Sequence, residues 1–141
     1  MRCDENAPVR ELRVETERRT RLLDVTARVQ SLLDGVDGSL ITLFVPHTTA
    51  AVVVQAEGDG ATAVAADIES ALDRIVDEGW PWQHACEGDA NPWSHVRAAL
   101  AGASVSIPLE SGRLVLGAQQ ALFLAEFDGP RERTIYLTVT R

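Results

Sequence analysis

Three histidines, His47, His84 and His95, are the residues of this 141-residue chain best suited to chemistry. Each lies in a loop-like segment or close to the end of a predicted element, outside any apolar stripe. A neutral imidazole offers a lone pair to a metal ion, and three of them around an ion with one open position would make a Lewis acid. Three histidines in one chain are more often scattered than clustered, and on the residues alone both arrangements stay open.

His95 falls in the first turn of a helix that the pair Asn91-Pro92 is predicted to start, with Asn91 as the capping residue. The partial positive charge of a helix N-terminus disfavours the imidazolium form and favours the neutral ring that a metal requires. The position of His95 therefore suits a metal ligand.

Two threonines and a cysteine lie near the histidines in the sequence. Thr48 and Thr49 directly follow His47, and their hydroxyl groups could bind a phosphate, although threonines after a strand more commonly belong to a turn or a strand. Cys86, two residues from His84, could be a ligand, but a small buried side chain is the commoner role. These residues are compatible with a site and do not establish one.

Glu126 shares its strand parity with Leu122 and Leu124, so its carboxylate lies on an apolar face and requires a partner. Arg131 or Arg133 could supply that partner in a structural ion pair. Glu126 could instead orient a ligating histidine through a hydrogen bond. The sequence leaves these two roles open.

The charge of the chain excludes several classes of function. It carries 13 basic and 21 acidic residues, with a formal net charge of −8 and a pI near 4.8. All 13 basic residues are arginine, so Schiff-base chemistry and P-loop phosphate binding, which require lysine, are excluded. A nucleic-acid binder needs a basic face, and so we expect no nucleic-acid partner for a chain this acidic.

Apolar runs and cysteines bear on the location of the protein. The runs all fall short of the ~20 residues that cross a bilayer, and the first six residues lack the apolar core of a signal peptide. The two cysteines, Cys3 and Cys86, form no disulfide framework and agree with a reducing compartment. We therefore expect a cytoplasmic protein with no membrane partner.

Hydrophobic patterning predicts an α+β chain. Strands are predicted at residues 9–16, 40–45, 50–54, 104–109, 113–116, 119–127 and 134–140, with 40–45 covered on both faces. Helices are predicted to begin at Asp24, after Asp59-Gly60 and at Asn91-Pro92. The apolar stripe of the third helix is predicted to comprise Trp93, Val96, Ala99 and Leu100.

We predict one domain over residues 8–141, after a flexible N-terminus at residues 1–7. Its fold class is α+β, with β-sandwich-like sheets and two to three helices. Strands that are apolar on both faces indicate two packed layers or a sheet buried against a neighbouring subunit.

Five segments, in this order, resemble the YjbQ-like family, also known as the secondary thiamine-phosphate synthase family. The resemblance spans about residues 9–139 and rests on the order of the segments, since no single one is diagnostic. They are Pro46-His47-Thr48-Thr49-Ala50-Ala51; His84; Gly88-Asp89-Ala90-Asn91 with Ser94-His95; Gly112-Arg113-Leu114 with Leu116-Gly117 and Gln120; and Glu126 with Asp128-Gly129-Pro130-Arg131 and Arg133.

This resemblance implies an α+β subunit that forms a homotrimer, with a pocket in which the three histidine positions cluster. The implied ligands of a divalent metal, zinc first and magnesium second, are His47, His84 and His95. The implied catalytic residues are Glu126, Thr48 and Arg131, and the implied contacts to a phosphorylated substrate are Thr49, Asn91, Gln120 and Arg133. The implied activity joins a hydroxymethylpyrimidine diphosphate to a thiazole phosphate, with release of diphosphate.

Two departures from the family pattern bear on catalysis. The family's Asn-Glu pair is replaced by Gln55-Ala56, with Glu57 displaced by one residue, and a shift of one residue along a strand turns a side chain to the other face. The family's aromatic residue before Gln120 is replaced by Gln119. We therefore expect either a metal-dependent enzyme acting on a phosphorylated small molecule or a non-catalytic homotrimeric protein that binds an anionic metabolite.

Overall fold

The computed structural model describes residues 9–57, 61–85 and 90–141, which contain eight strands and three helices. Residues 1–7, which were predicted to be flexible, lie outside these ranges, as do Asp59 and Cys86. In chain order the elements are β1 (Arg10–Glu15), β2 (Arg21–Asp24), α1 (Thr26–Ser31), β3 (Leu40–Phe44), β4 (Ala50–Ala56), α2 (Ala61–Ile75), α3 (Pro92–Ala101), β5 (Ser104–Glu110), β6 (Arg113–Leu114), β7 (Gln120–Glu126) and β8 (Glu132–Thr140).

The strands form two antiparallel sheets, one in the order β1-β8-β3-β5-β6 and one in the order β2-β7-β4. The predicted α+β, sandwich-like fold is confirmed. Strand β2 was missed by the sequence analysis because its four residues, Arg21–Asp24, are too few to give a pattern and run directly into the helix start.

Strand β7 explains how the layers pack. Leu122 and Leu124 belong to the core between the two sheets, whereas Ala121, Phe123 and Ala125 belong to a second core that includes residues of α2 and α3. Because both faces of this central strand are covered, its sequence is apolar without alternation. The molecule therefore has three layers, namely the five-stranded sheet, the three-stranded sheet and the helices α2 and α3.

The prediction that strand β3 is covered on both faces is wrong for the single chain. Ile41 and Leu43 are fully buried between the sheets, but Phe44 on the outer face is 46% exposed. Among the residues that the structure describes, no layer covers the outer face of the five-stranded sheet, so only the inward-facing half of the β3 sequence needed to be apolar.

The predicted apolar stripe of α3 is also wrong. Its buried residues are Pro92, Ser94, Arg97 and Ala98, whereas Leu100 is 60% exposed. Arg97 can be buried because its Nη2 donates to the carbonyl of Val76, just beyond α2, at 2.8 Å. Because this charged side chain is paired inside the protein, the buried face of α3 differs from the one that hydropathy indicates.

The strand register brings several segments to one end of the sandwich. Phe44 at the end of β3 pairs with Tyr136, and Ala50 at the start of β4 pairs with Glu126 at the end of β7. The β3–β4 loop, the β7–β8 turn and the start of β8 therefore adjoin. Position 129 in this turn requires glycine, because the Cβ of any other residue would overlap the carbonyl oxygen of Arg18.

No helix within the described residues is both long enough and apolar enough to span a bilayer.

Candidate functional site

A cleft of about 550 Å³ opens at this end of the sandwich, and all three histidines line it. We call it the histidine cleft. Its lining comprises Pro46, His47, Thr48, Thr49, His84, Asn91, His95, Asp128, Arg131 and Arg133. The structure thus brings together most of the residues that the sequence analysis assigned to a site. The two assigned residues absent from this lining are Gln120 and Glu126.

Gln120 lies at the far end of β7 from the cleft, six residues before Glu126, which corresponds to about 20 Å along a strand. Its side chain is exposed, and its Oε1 accepts the backbone N–H of Gly117 at 2.8 Å. Within one chain, Gln120 is thus separated from the histidine cleft by the length of β7, and its contact with a substrate stays a prediction.

Glu126 is fully buried beneath the cleft and forms a two-point ion pair with Arg133. Its Oε2 accepts Nε of Arg133 at 2.7 Å and the Thr16 hydroxyl at 2.9 Å. Its Oε1 accepts Nη2 of Arg133 and the backbone N–H of Asp128, the latter at 2.9 Å. Of the two roles that the sequence left open, these contacts favour the structural ion pair.

Arg133 extends this buried network into the β3–β4 loop. Its Nη2 also donates to Oγ1 of Thr49 at 2.8 Å. Both residues are buried, and their described contacts hold the loop that carries His47 against the start of β8. The pair Glu126–Arg133 therefore positions two of the segments that line the cleft.

The side chain of Asn91 connects Asp128 to His84. Asn91 Nδ2 donates to Oδ2 of Asp128 at 2.8 Å, and Asn91 Oδ1 lies 3.0 Å from Nε2 of His84. A carboxylate accepts only, which places the amide nitrogen toward Asp128 and the amide oxygen toward His84. His84 must then donate from Nε2, so its neutral form has its lone pair on Nδ1.

The structure corrects the predicted capping role of Asn91. It is the N-cap residue of α3, but its side chain makes no capping hydrogen bond. The backbone N–H of Ser94 is instead bonded to the carbonyl of Asn91 at 3.1 Å. The side-chain amide of Asn91, which the sequence pattern predicted to cap the helix, is hydrogen-bonded to Asp128 and His84 instead.

His95 lies one turn into α3 and faces His84 edge-on, with ring centroids 5.4 Å apart and an interplanar angle of 68°. The ring of His95 makes no hydrogen bond to any of the residues that the structure describes. Two imidazoles therefore stand side by side in the cleft, one held by Asn91 and the other free to meet a ligand.

His47 is held differently, because its Nε2 accepts the backbone N–H of Thr134 at 2.9 Å. A neutral ring that accepts at Nε2 carries its hydrogen on Nδ1. Burial, and after it the positive charge of Arg133, lowers the pKa of His47. His47, which lines the cleft, therefore carries an N–H donor at Nδ1.

This arrangement does not fit the three-histidine metal centre implied by the resemblance. The lone pair of His47 is already taken by Thr134, and a metal ligand needs that lone pair. Across residues 9–57, 61–85 and 90–141, no three His, Cys, Asp or Glu side chains are grouped as a metal site requires. The divalent metal itself, zinc or magnesium, stays a prediction.

Arg131 is anchored by the same carboxylate that holds Asn91. Its Nη2 donates to Oδ2 of Asp128 and its Nε to the carbonyl oxygen of Asp128, both at 2.8 Å. Its side chain is 51% exposed, and the remaining N–H groups of the guanidinium are available to a ligand. Thr48, also exposed, offers a hydroxyl in the same cleft.

Sequence reasoning missed Asp128, which it read only as part of a turn. Asp128 accepts hydrogen bonds from both Asn91 and Arg131, and its own N–H is fixed by Glu126. The signal that could have found it is its position two residues after the buried Glu126, which a strand followed by a tight turn places at the rim of the site.

Comparison with known proteins gives a consistent result over nearly the whole chain. Residues 10–141 match the model of the family described as UPF0047 protein YjbQ-like. The chain is 32% identical over 130 residues to the UPF0047 protein YugU of Bacillus subtilis, covering 89% of this chain and 94% of that one. It is 36% identical over 125 residues to a UPF0047 protein of Archaeoglobus fulgidus, covering 89% and 95%.

Solved structures show the same fold. A hypothetical protein of Aeropyrum pernix superimposes with a TM-score of 0.85 at 37% identity, covering 96% of this chain and all of that one. A YbjQ-like protein of unknown function from Sulfolobus solfataricus superimposes with a TM-score of 0.84 at 30% identity, covering 94% and 95%.

Proposed function

The chain belongs to the UPF0047, YjbQ-like protein family, and from that membership and the histidine cleft we propose that it is an enzyme acting on a phosphorylated small molecule. The observation that carries this proposal is the connection Asp128–Asn91–His84. This connection fixes the tautomer of His84, which lines the same cleft as the exposed Arg131. A group that transfers a proton near a phosphate requires a defined tautomer of this kind.

The phosphate end of the ligand would lie against three kinds of donor. Arg131 offers guanidinium N–H groups, His47 offers Nδ1–H, and Thr48 offers a hydroxyl. Arginine binds phosphate oxygens in pairs through its planar fork. Because the carboxylates of Glu126 and Asp128 are both occupied by hydrogen-bond donors, they do not repel an incoming anion at full strength.

The reaction that we propose is the one implied by the resemblance, a thiamine-phosphate synthase-like transfer. A bond forms between the pyrimidine and thiazole parts while the carbon–oxygen bond to diphosphate breaks, and its electron pair leaves with the diphosphate. The main requirement is therefore stabilisation of negative charge on the departing oxygen. Arg131 and His47 would hold that charge, and His84 in its protonated form would donate from Nδ1 to it.

A non-catalytic binding protein for an anionic metabolite is the second candidate. It is favoured by the ion pair of Glu126 with Arg133, which leaves neither group free for chemistry. The same donors that would stabilise departing diphosphate would hold an anion without turnover. The homotrimer implied by the resemblance belongs to both candidates, and the mass of the protein in solution tests it.

The proposal is tested by diphosphate release from the purified protein supplied with hydroxymethylpyrimidine diphosphate and thiazole phosphate. We expect release that requires both compounds and falls about 100-fold in His84→Ala. Arg113→Ala is the control, since Arg113 is exposed and lies at the opposite end of the five-stranded sheet. Saturable binding of both compounds without release would establish the second candidate instead.

A further inference from the structure

A second cleft, of about 760 Å³, adjoins the histidine cleft on the helix side. We call it the tryptophan cleft. Its lining comprises Trp80, Pro81, Trp82, Gln83, His84, Pro92, His95 and Val96. His84 and His95 line both clefts, so the two are continuous at these two rings.

Trp80 and Trp82 stack against each other, with ring centroids 5.4 Å apart and an interplanar angle of 23°. Trp80 is nevertheless 53% exposed, which leaves a large aromatic surface in contact with water. Exposed apolar surface beside a cleft marks a candidate ligand site, and aromatic rings offer a planar ligand a face on which to stack.

The backbone holds the tryptophan pair in place without a ligand. Trp82 Nε1 donates to the carbonyl of Asp77 at 3.1 Å, and the backbone N–H of Trp82 donates to the carbonyl of Trp80 at 2.8 Å. The backbone N–H of Gly79 donates to Oδ1 of Asp77 at 2.6 Å. The orientation of the Trp82 ring is thereby fixed and Trp80 stacks on it, which lowers the entropic cost of binding a ligand here.

We propose that the tryptophan cleft binds the planar aromatic ring of a ligand whose phosphate occupies the histidine cleft. This inference rests on the proposed function and adds to it the residues that select the ring. Among the described residues, the lining of the tryptophan cleft is apolar apart from Gln83 and the shared histidines, so it suits a ring and not a phosphate. Because the clefts meet at His84 and His95, the ring and the phosphate of the ligand are separated by a short link.

Three probes separate the two ends of the ligand in a calorimetric titration of the purified full-length chain. Inorganic diphosphate has no ring, hydroxymethylpyrimidine has no phosphate, and hydroxymethylpyrimidine diphosphate has both. The variants are Trp80→Leu, which removes the exposed ring, and Trp80→Phe, which keeps an aromatic face. Leu100→Ala is the control, because Leu100 is an exposed apolar residue of α3 that lines neither cleft.

We expect Trp80→Leu to raise the Kd of hydroxymethylpyrimidine diphosphate about tenfold, while the Kd of inorganic diphosphate stays within twofold of wild type. Trp80→Phe keeps most of the affinity, and Leu100→Ala behaves as wild type. The inference is overturned if Trp80→Leu weakens both diphosphates equally, if it weakens neither, or if no probe with a ring binds the wild type.

The failure of the proposed function gives a different result. In that case inorganic diphosphate does not bind the wild type, whereas hydroxymethylpyrimidine alone still binds in a manner that depends on Trp80.

Discussion

The side-chain amide of Asn91 lies between two groups that are far apart in the sequence, and its Nδ2 donates to Oδ2 of Asp128 at 2.8 Å. The same amide accepts from His84 through Oδ1. One residue thereby connects the β7–β8 turn to the segment before α3 and fixes which nitrogen of His84 carries the hydrogen. The proposed chemistry depends on this connection.

Replacing Asn91 by Ala should reduce turnover about ten- to hundredfold with little change in KM, because the ring of His84 loses the acceptor that orients it. Thr138→Ala is the control, since it removes a polar side chain from the exposed outer face of the five-stranded sheet. Initial rates of diphosphate release measure both variants. A drop in turnover shared equally by the two would contradict a specific role for Asn91.

The buried ion pair predicts that the stability losses of its two single substitutions are not additive in the double variant. Glu126→Gln leaves Arg133 buried without a countercharge, and Arg133→Met leaves Glu126 buried without one. Each single substitution should lower the unfolding free energy by about 3–5 kcal/mol. The double variant Glu126→Gln with Arg133→Met should lose less than the sum, since neither charge is then left alone. Urea unfolding measures all three, and additive losses would show that the pair is not coupled.

His47 predicts a pH dependence of stability with a definite sign. Its pKa is lowered by burial, and after that by Arg133, so the unfolded chain binds more protons than the folded one near the ordinary pKa of about 6.5. Stability contributed by neutral His47 is present above about pH 6.5 and is lost as the pH falls from there to the lowered pKa. Below the lowered pKa, this contribution does not change further.

The measurement compares urea midpoints of wild type and His47→Gln at pH 7.5 and 5.0. Glutamine offers an oxygen to the N–H of Thr134 and does not titrate, so the variant should lose less stability on acidification than wild type. Equal losses in both proteins would show that His47 does not contribute to the acid sensitivity.

Arg97 connects α3 to the end of α2 and forms an ion pair with Asp73. We expect substitution of these two partners to lower the unfolding free energy by different amounts. The side chain of Arg97 is 1% exposed, and its Nη1 lies 3.0 Å from Oδ1 of Asp73, whose side chain is 53% exposed. Arg97→Met should lower the unfolding free energy by about 3 kcal/mol, because the carbonyl of Val76 loses its donor and the packing changes. Asp73→Asn should cost less than Arg97→Met, because Asp73 is half-exposed and the carboxylate of Glu78, 3.9 Å from Nη1 of Arg97, remains as a countercharge. Thermal unfolding of the two variants checks this order, and a larger loss in Asp73→Asn would reverse the account.

Local patterns were sufficient to predict most of the strands and the three-helix content, because burial imposes a period on the chain. The same patterns failed where a polar group is buried by pairing. Burial of Arg97 makes the buried face of α3 differ from the predicted one. The side-chain amide of Asn91 binds residues outside α3 and does not cap the helix as predicted. Hydropathy carries no information about such partners.

The choice between Arg131 and Arg133 as the partner of Glu126 shows what strand parity could have added. Arg133 has the parity of Ile135 and Leu137, which face the core between the sheets, so it belongs on the inside with Glu126. Arg131 precedes β8 and stays on the turn. What parity could not show is that the register of β3, β4, β7 and β8 places all these segments at one end of the sandwich.

The most direct test of the central claim, that the histidine cleft binds the phosphate of a ligand, is a nitrogen-15 NMR spectrum of the three histidine rings with and without inorganic diphosphate. We expect His47 as the Nδ1–H tautomer and His84 as the Nε2–H tautomer, and shifts of both ring spectra that saturate with diphosphate and disappear in Arg131→Met but not in Arg113→Met. Ring spectra that do not respond to diphosphate, or that respond equally in Arg131→Met, would contradict the claim.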